Sequence, residues 1–412
     1  CRWCCDQQDL AGEKCLARYA CAYNQARLAA LKSPLAVLNT AMYLTSVSYA
    51  DMFQHQPWLV LDEADSLEHA LMDFISIQMR ESWAKRLGID SPKYITKEDS
   101  WISWIQESAI PAAEKRLEAL KSSYETEDLR EERFCEGFLM RGRVFLSSVQ
   151  EDKWVFNPES YEFKPVFVSQ FGDLFWSHAD RFLLMSATVV SVAQFARDIG
   201  IPRDQIEFID MKSDFPVARR RVFYTPVANM TNKTKQTEWP KVVAGVDQLL
   251  AQYPKYNILV HTHSEALAQF IYSNSGFSGR MITYGKSQRR DRALEDFRNG
   301  QGKVLVAQSM ERGVSLDDEQ CRIIIVAKVP YPYLGDRQVS KRVYGSKDGN
   351  TWYAVQTLRT LMQATGRATR HKDDWSISYI LDTQFGELVA KWPKLTLGWW
   401  REALVMPKKE GR

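Results

Sequence analysis

No stretch of the 412 residues is apolar for anything near the ~20 residues that span a bilayer; the longest runs, such as Cys321 to Val329, are strand-sized and broken by Arg322 and Lys328. A membrane-spanning helix is therefore not expected. There is no excess of one charge: 54 Lys and Arg against 51 Asp and Glu give +3. That balance argues neither for nor against a nucleic-acid partner, although Arg219, Arg220 and Arg221 form a local basic cluster. Low-complexity tracts are absent, and 45% hydrophobic, 25% charged and 12% aromatic residues exclude disorder, collagen and coiled coil. The length fits about two or three domains. Cysteine is scarce outside the amino end: five of the seven (Cys1, Cys4, Cys5, Cys15, Cys21) fall in the first 21 residues, with Cys135 and Cys321 isolated. An odd number so clustered argues against a disulfide framework and for metal ligands. The sequence opens on Cys1 without a charged segment and apolar run, so no signal peptide is read and an upstream segment is expected.

What is present is an alternation of strands and helices. Leu35 to Leu38 and Trp58 to Leu61 are short apolar runs ending in polar residues, as in strands buried on both faces of a parallel sheet. From Ser66 to about Gln150 the texture turns to charged, Trp-rich helical segments, for example Trp101 to Ser122 and Glu125 to Met140, which reads as a helical insertion. Strand-like runs return at Pro165 to Ser169 and Arg181 to Met185, with a helix from about Ser191 to Gly200. Pro216 to Pro226 reads as a connector. Beyond it, helices at 241–252, 265–274 and 289–299 alternate with strands at 257–263, 280–284, 303–307 and 321–328, a second α/β unit. Such sheets bind ligands at the carboxyl edges of their strands.

Several of those edges carry reactive residue types. Asp62 and Glu63 directly follow a strand, where one carboxylate can hold Mg²⁺ through water and its neighbour can polarise an attacking water in phosphoryl transfer. The plainer alternative is that Asp65 or Ser66 caps the next helix. Gln363, Gly366, Arg367 and Arg370 fall at i, i+3, i+4 and i+7 of a helix expected over 355–369, hence on one stripe. Arginine forks suit phosphate charge. A glycine inside that helix costs roughly 1 kcal/mol against alanine, which fits a close backbone approach; the alternative is a solvated basic face. Ser186-Ala187-Thr188 and the loop from Glu311 to Asp317 also end strands. His261 and His263 share a strand face without a third ligand, so packing or nucleic-acid contact is expected of them. Trp101, Trp104, Trp399 and Trp400 read first as core anchors and second as base-stacking rings.

In this order the segments resemble the XPD/DinG-like iron-sulfur helicases of superfamily two. Leu59 to Asp65 resembles the family's Walker B segment, with Asp65 where many members carry His; Leu184 to Thr188 resembles its Ser-Ala-Thr motif. Gln363 to Arg370 matches its Gln-x-x-Gly-Arg-x-x-Arg signature. Glu311 to Asp317 is similar to a loop usually read Glu-Gly-Ile-Asp-Leu, with Arg312 before Gly313 and Ser315 at the usual Asp. Asn257 to Ser264 resembles the fourth motif, and Lys328 to Pro332 the Lys-x-Pro-Phe/Tyr-Pro stretch after the fifth.

The resemblance implies an α/β fold of two RecA-like P-loop NTPase-type domains with a cysteine-rich Fe-S insertion and a helical arch insertion. Residues 1–29 would form the Fe-S region, 30–68 and 160–215 the rest of the first RecA-like domain, 69–159 the arch and 216–412 the second domain. It implies an ATP-hydrolysing DNA helicase that translocates 5′ to 3′ on single strands and unwinds duplex in repair, replication or recombination. Asp62, Glu63, Gln363, Arg367 and Arg370 would be catalytic, with Asp62 on Mg²⁺ through water; Asp65, Ser186, Thr188, Gly313, Asp317 and Gly366 would line the nucleotide. Four of Cys1, Cys4, Cys5, Cys15 and Cys21 would hold a [4Fe-4S] cluster, Cys15 and Cys21 as its last two ligands, with zinc as the competing metal. Single-stranded and forked DNA and repair or replication proteins would be partners of a monomeric motor in the cytoplasm or nucleoid, with no membrane. Nothing reads Gly-x₄-Gly-Lys-[Ser/Thr], the loop that cradles nucleotide phosphates. Gly285-Lys286-Ser287 has its preceding glycine, Gly279, one residue too far away and lies in the second unit. The phosphate loop is expected upstream of Cys1, and the 412 residues by themselves are expected to hydrolyse ATP poorly or not at all. The alternative is an ATPase-inactive, metal-stapled relative that binds single-stranded DNA.

Overall fold

The computed structural model describes residues 22–48, 53–78, 81–120, 126–149, 153–231, 233–285, 289–308, 310, 316, 318–366, 368–369 and 371–407. The chain divides into two compact units. The first comprises residues 1–187, 195–206 and 334–346, the second 188–194, 207–333 and 347–412.

In the first unit, β1 (Gln56–Leu61) pairs in parallel with a later strand, Ala179–Leu184, in the register Trp58 to Arg181 and Leu61 to Leu184. Side chains alternate across a strand, so Leu59, Leu61, Phe182 and Leu184 face the core while Trp58, Val60 and Leu183 are exposed. Arg181 lies over the Trp58 ring at 5.5 Å. Residues 35–38 do not form the expected strand: Leu35 and Val37 are exposed, and the backbone runs irregularly from helix Ala22–Lys32 into helix Thr40–Ser48. The side chain of Asn39 accepts from the Met42 amide at 2.7 Å, and this cap starts the next helix where a continued strand would have left that amide unpaired. At the start of β1, the Gln56 amide donates to the His178 carbonyl and His55 reaches Asp180 at 2.8 Å.

The insertion is not wholly helical. The short β2 (Ile77–Gln78), β3 (Trp154–Asn157) and β4 (Glu162–Pro165) form an antiparallel sheet in the order β2-β4-β3, so strand structure begins before residue 165 and the insertion's sheet extends past residue 159. The strand Ala179–Leu184 is β5. The amphipathic helix Leu67–Ile75 buries Leu67, Leu71 and Phe74 in the same core as Phe138 and Phe145 of the long helix Thr126–Ser148. Helix Glu98–Trp104 runs through one turn of π-helix, Ile105–Ala109, into helix Ile110–Leu120. One buried carboxylate ties three helices: Glu131 accepts from Arg116 at 2.8 and 3.0 Å and pairs with Arg86 at 3.1 Å.

The second unit is built on seven parallel strands in the order β12-β6-β11-β10-β7-β9-β8. They are β6 (Arg220–Ala228), β7 (Ile258–His261), β8 (Met281–Thr283), β9 (Val304–Ala307), β10 (Ile323–Val326), β11 (Ser376–Asp382) and β12 (Leu404–Val405). The expected connector at 216–226 is therefore largely a strand. Pro226 obscures it in sequence, and it sits where the β6–β11 register shifts, a position that tolerates a missing donor. One face of the sheet (Leu259, Leu305, Ile324, Val326) packs on Phe297, Leu358 and Met362, and the other (Ile258, Val260, Val304, Ile325) on Val242, Val246, Leu267 and Ile271. Apolar residues on both faces are what an all-parallel sheet covered by helices requires. Among the described residues no helix is long and apolar enough to cross a membrane.

Replacing Glu131 with Ala leaves two guanidiniums without their buried carboxylate. A loss of roughly 2–3 kcal/mol is expected on chemical denaturation, less than for a fully buried pair because both arginines keep partial solvent access. The hydrogen bond that protonated His55 donates to the Asp180 carboxylate raises the pKa of this exposed imidazole above 6.5. Its stabilising effect is complete below that value and is lost as pH rises through the raised one. A histidine-resolved NMR titration should show the shift, and Asp180→Asn should abolish most of it.

Candidate functional site

The carboxyl end of β1 turns sharply. Glu63 adopts a left-handed conformation (φ 51°), which is unusual for a residue with a side chain, and its amide is held by the Asp62 carboxylate at 2.9 Å. The Glu63 carbonyl accepts the Ser66 hydroxyl at 2.7 Å, and the Ala64 amide bonds to the Met185 carbonyl just past β5. Asp62 and Glu63 are both exposed, whereas Asp65 is buried and accepts the Ser186 hydroxyl at 2.7 Å. The helices that follow start without a side-chain cap, so Asp65 and Ser66 do not play the capping role; Asp65 instead joins the β1 turn to the β5 turn. Asp62, Glu63, Asp65 and Ser186 form one cluster at the carboxyl edge of the β1–β5 sheet, where acidic oxygens face water and a hydrated cation is chemically acceptable.

The second unit holds the other described candidates. Gln363, near the end of helix Gly349–Thr365, donates to the Thr188 hydroxyl at 3.1 Å. The helix stops at Thr365 rather than running to 369 as expected. Gly366 is the residue after the last helical turn, its amide bonded to the Met362 carbonyl at 3.0 Å, and a side-chain carbon there would sit 3.2 Å from that same oxygen. At the C-cap, with φ −90°, it lies outside the helix interior and carries no helix-interior penalty. The buried indole of Trp400 donates to the Thr365 hydroxyl at 2.9 Å and fixes this end. Arg367, Arg370, Gly313 and Asp317 lie outside the described residues, as do Cys1, Cys4, Cys5, Cys15, Cys21, Lys286 and Ser287.

Other readings can be placed. Trp101, Trp104 and Trp400 are buried core residues and so do not offer their rings to a base. His261 is fully buried and stacks on His263 with centroids 5.8 Å apart, a packing role. Burial pushes the Cys135 thiol up to about 11 and the Cys321 thiol up to about 12, so both are protonated at neutral pH and poor nucleophiles. Asp318, His371 and Asp374 bring ligand atoms within 4.8 Å of one another, but Arg322 pairs with Asp374 and lies 3.7 Å from Asp318, so a guanidinium already neutralises the group.

A residue the sequence analysis missed is Asp382, at the end of β11. Its buried carboxylate accepts the amides of Val329 at 2.8 Å, Gln384 at 3.1 Å and Met230 at 3.2 Å, gathering the ends of three strands. Burial raises its pKa against these bonds, and burial lowers that of the nearby Lys328, which the Asp382 charge opposes. An aspartate closing the apolar run at 376–381 was the available signal. Asp382→Ala orphans three amides at the strand ends, and a loss of about 3 kcal/mol or more is expected on urea unfolding.

Residues 247–403 match the helicase C-terminal domain family. A stretch of 96 residues is 34% identical to the Fanconi anemia group J protein homolog of Gallus gallus, covering 20% of this chain and 8% of that protein. The regulator of telomere elongation helicase 1 homolog of Caenorhabditis elegans is 31% identical over 105 residues, 21% of this chain and 11% of that protein. Its homolog in Drosophila virilis is 22% identical over 305 residues, 64% of this chain and 29% of the relative. The matches thus span well under a third of these relatives' length. The fold is similar to a solved XPD helicase (TM-score 0.55, 16% identity, 89% of this chain and 72% of that one) and to an apo XPD (0.54, 16%, 89% and 81%). Together these findings show a helicase C-terminal domain match over residues 247–403 and a fold similar to that of the solved XPD helicases.

Proposed function

We propose that the protein is an ATP-dependent motor that translocates 5′ to 3′ on single-stranded DNA and separates duplex strands in DNA repair, replication or recombination. The observation that carries this reading is the strained Asp62-Glu63 turn, bound through Asp65 to Ser186 at the carboxyl edge of a parallel strand pair. Asp62 would hold Mg²⁺ through water; when bound, the ion neutralises charge on the transferred phosphoryl group. Glu63, exposed and fixed by its backbone conformation, would orient the attacking water and take its proton. The Ser-Ala-Thr triplet supports coupling, because Ser186 is bonded within the first unit and Thr188 to Gln363 within the second. Arg367 and Arg370 would meet phosphate charge, Gly313, Asp317 and Gly366 would line the nucleotide, and four of the five amino-terminal cysteines would hold a [4Fe-4S] cluster.

The motor reading requires a phosphate-binding loop, and no Gly-x₄-Gly-Lys-[Ser/Thr] stretch occurs in the 412 residues. The exposed face of Trp58, Val60 and Leu183 supports its addition by a further segment, since a parallel pair is stable when helices or neighbouring strands cover both faces. In the full-length protein, Glu63→Gln should keep nucleotide and DNA binding while DNA-stimulated ATP hydrolysis falls by about 10²-fold or more. Unchanged turnover would remove Glu63 from its role. Absence of any turnover in the wild-type protein, with single-strand binding intact, would favour the ATPase-inactive relative.

A further inference from the structure

Residues 334–346 leave the second unit's chain, fold into the first unit, and return. The excursion is built around helix Arg337–Tyr344, capped by Asp336, whose carboxylate accepts the Val339 amide at 3.0 Å. It is fastened by specific bonds: the buried Gln338 amide donates to the Val166 carbonyl at 3.0 Å, and Arg337 donates to the Phe156 carbonyl at 3.2 Å. Arg342 pairs with Asp198, both nearly inaccessible to solvent, and its guanidinium lies 4.2 Å from the centre of the Phe167 ring. All of these acceptors belong to the insertion's sheet, to the turn that leaves it, or to helix Val192–Ile199. Trp154 and Phe156 of β3 are buried in the same core as Phe145 and Trp101.

A buried ion pair contributes little net stability against an apolar alternative, but it fixes register, since either charge left alone is expensive. A helix tied covalently at both ends to one body and locked by directional polar contacts into another cannot slide. We infer that helix Arg337–Tyr344 is a lever through which movement of the second unit is delivered to β3 and the helical insertion, with Gln338 and Arg342 as its positioning residues. The excursion starts just after Lys328 to Pro332 and ends two residues before Asp348, which accepts from Gln194 at 2.8 Å at the head of helix Gly349–Thr365. The helix that carries Gln363 therefore begins where the lever ends, so displacement of one is passed along the chain to the other. The inference rests on the motor reading for what drives the lever.

The test uses the full-length protein with single-stranded and forked DNA. Arg342→Gln should leave DNA-stimulated ATP hydrolysis within about twofold while strand separation per ATP falls about tenfold. The exchanged pair Asp198→Arg with Arg342→Asp should recover much of that loss. A second variant leaves every lever contact in place: flexible Gly/Ser insertions of about six residues after Tyr333 and after Ser346, which decouple the helix from its own unit. Uncoupling in the insertion variant supports the lever even where Arg342→Gln fails to fold. ATP hydrolysis and unwinding that fall in parallel, or an insertion variant that unwinds like the wild type, overturn it. Wild-type protein with no ATP hydrolysis and no unwinding instead overturns the motor reading, and the lever with it.

Discussion

Parallel strands all end at the same edge, and every chain that leaves that edge must turn there. This constraint organises both units. In the first it brings the Asp62-Glu63 turn beside Ser186, because β1 and β5 run in the same direction and finish in register at Leu61 and Leu184. In the second it brings Asp382 beside the exits of β10 and β6, where three amides have left their ladders and need an acceptor. The carboxyl edge collects unsatisfied donors, strained turns and charged side chains, since each exiting segment carries all three. The left-handed Glu63 at the end of β1 and the left-handed His263 just past β7 are instances of the same geometry.

How much of this was legible in the sequence depended on the range over which each signal acts. β7, β9 and β10 were readable because apolar residues on both faces leave unbroken runs, and Ser264, which caps helix Glu265–Asn274 through the Leu267 amide, marked where the helix begins. β6 was not readable, because Pro226 and the charged Arg220-Arg221 argue locally against a strand that long-range pairing with β11 and β12 stabilises. Residues 35–38 failed in the opposite sense: four apolar residues look like a strand, but here no neighbouring strand pairs with them. The three-stranded sheet of the insertion was hidden by its brevity, since β2 has two residues and gains its meaning from β4.

The candidate site divides along the same line. Asp62, Glu63, Asp65 and Ser186 were found as local patterns, and the structure adds that Asp65 joins the two turns, a relation between positions 121 residues apart. The spacing of Gln363, Gly366, Arg367 and Arg370 suggested one helical stripe, but periodicity carries no information about where a helix stops. The helix ends at Thr365, before the last of these positions. Asp382 and the Asp198–Arg342 pair escaped notice because a lone charged residue in sequence does not announce burial, and its partner lies more than a hundred residues away in the latter case.

The interleaving of the chain also shapes how it must be made. A ribosome emits residues in order, so Asp198 is synthesised well before Arg342, and their buried ion pair can form only once residue 342 has appeared. The unit that begins first is therefore not the unit that finishes first. Its last segment arrives only after five described strands of the second unit, β6 to β10, have been made, and closure across such sequence separations is slow. Until then β3 lacks the contacts that helix Arg337–Tyr344 makes with it, and a strand edge without its cover is the kind that pairs wrongly.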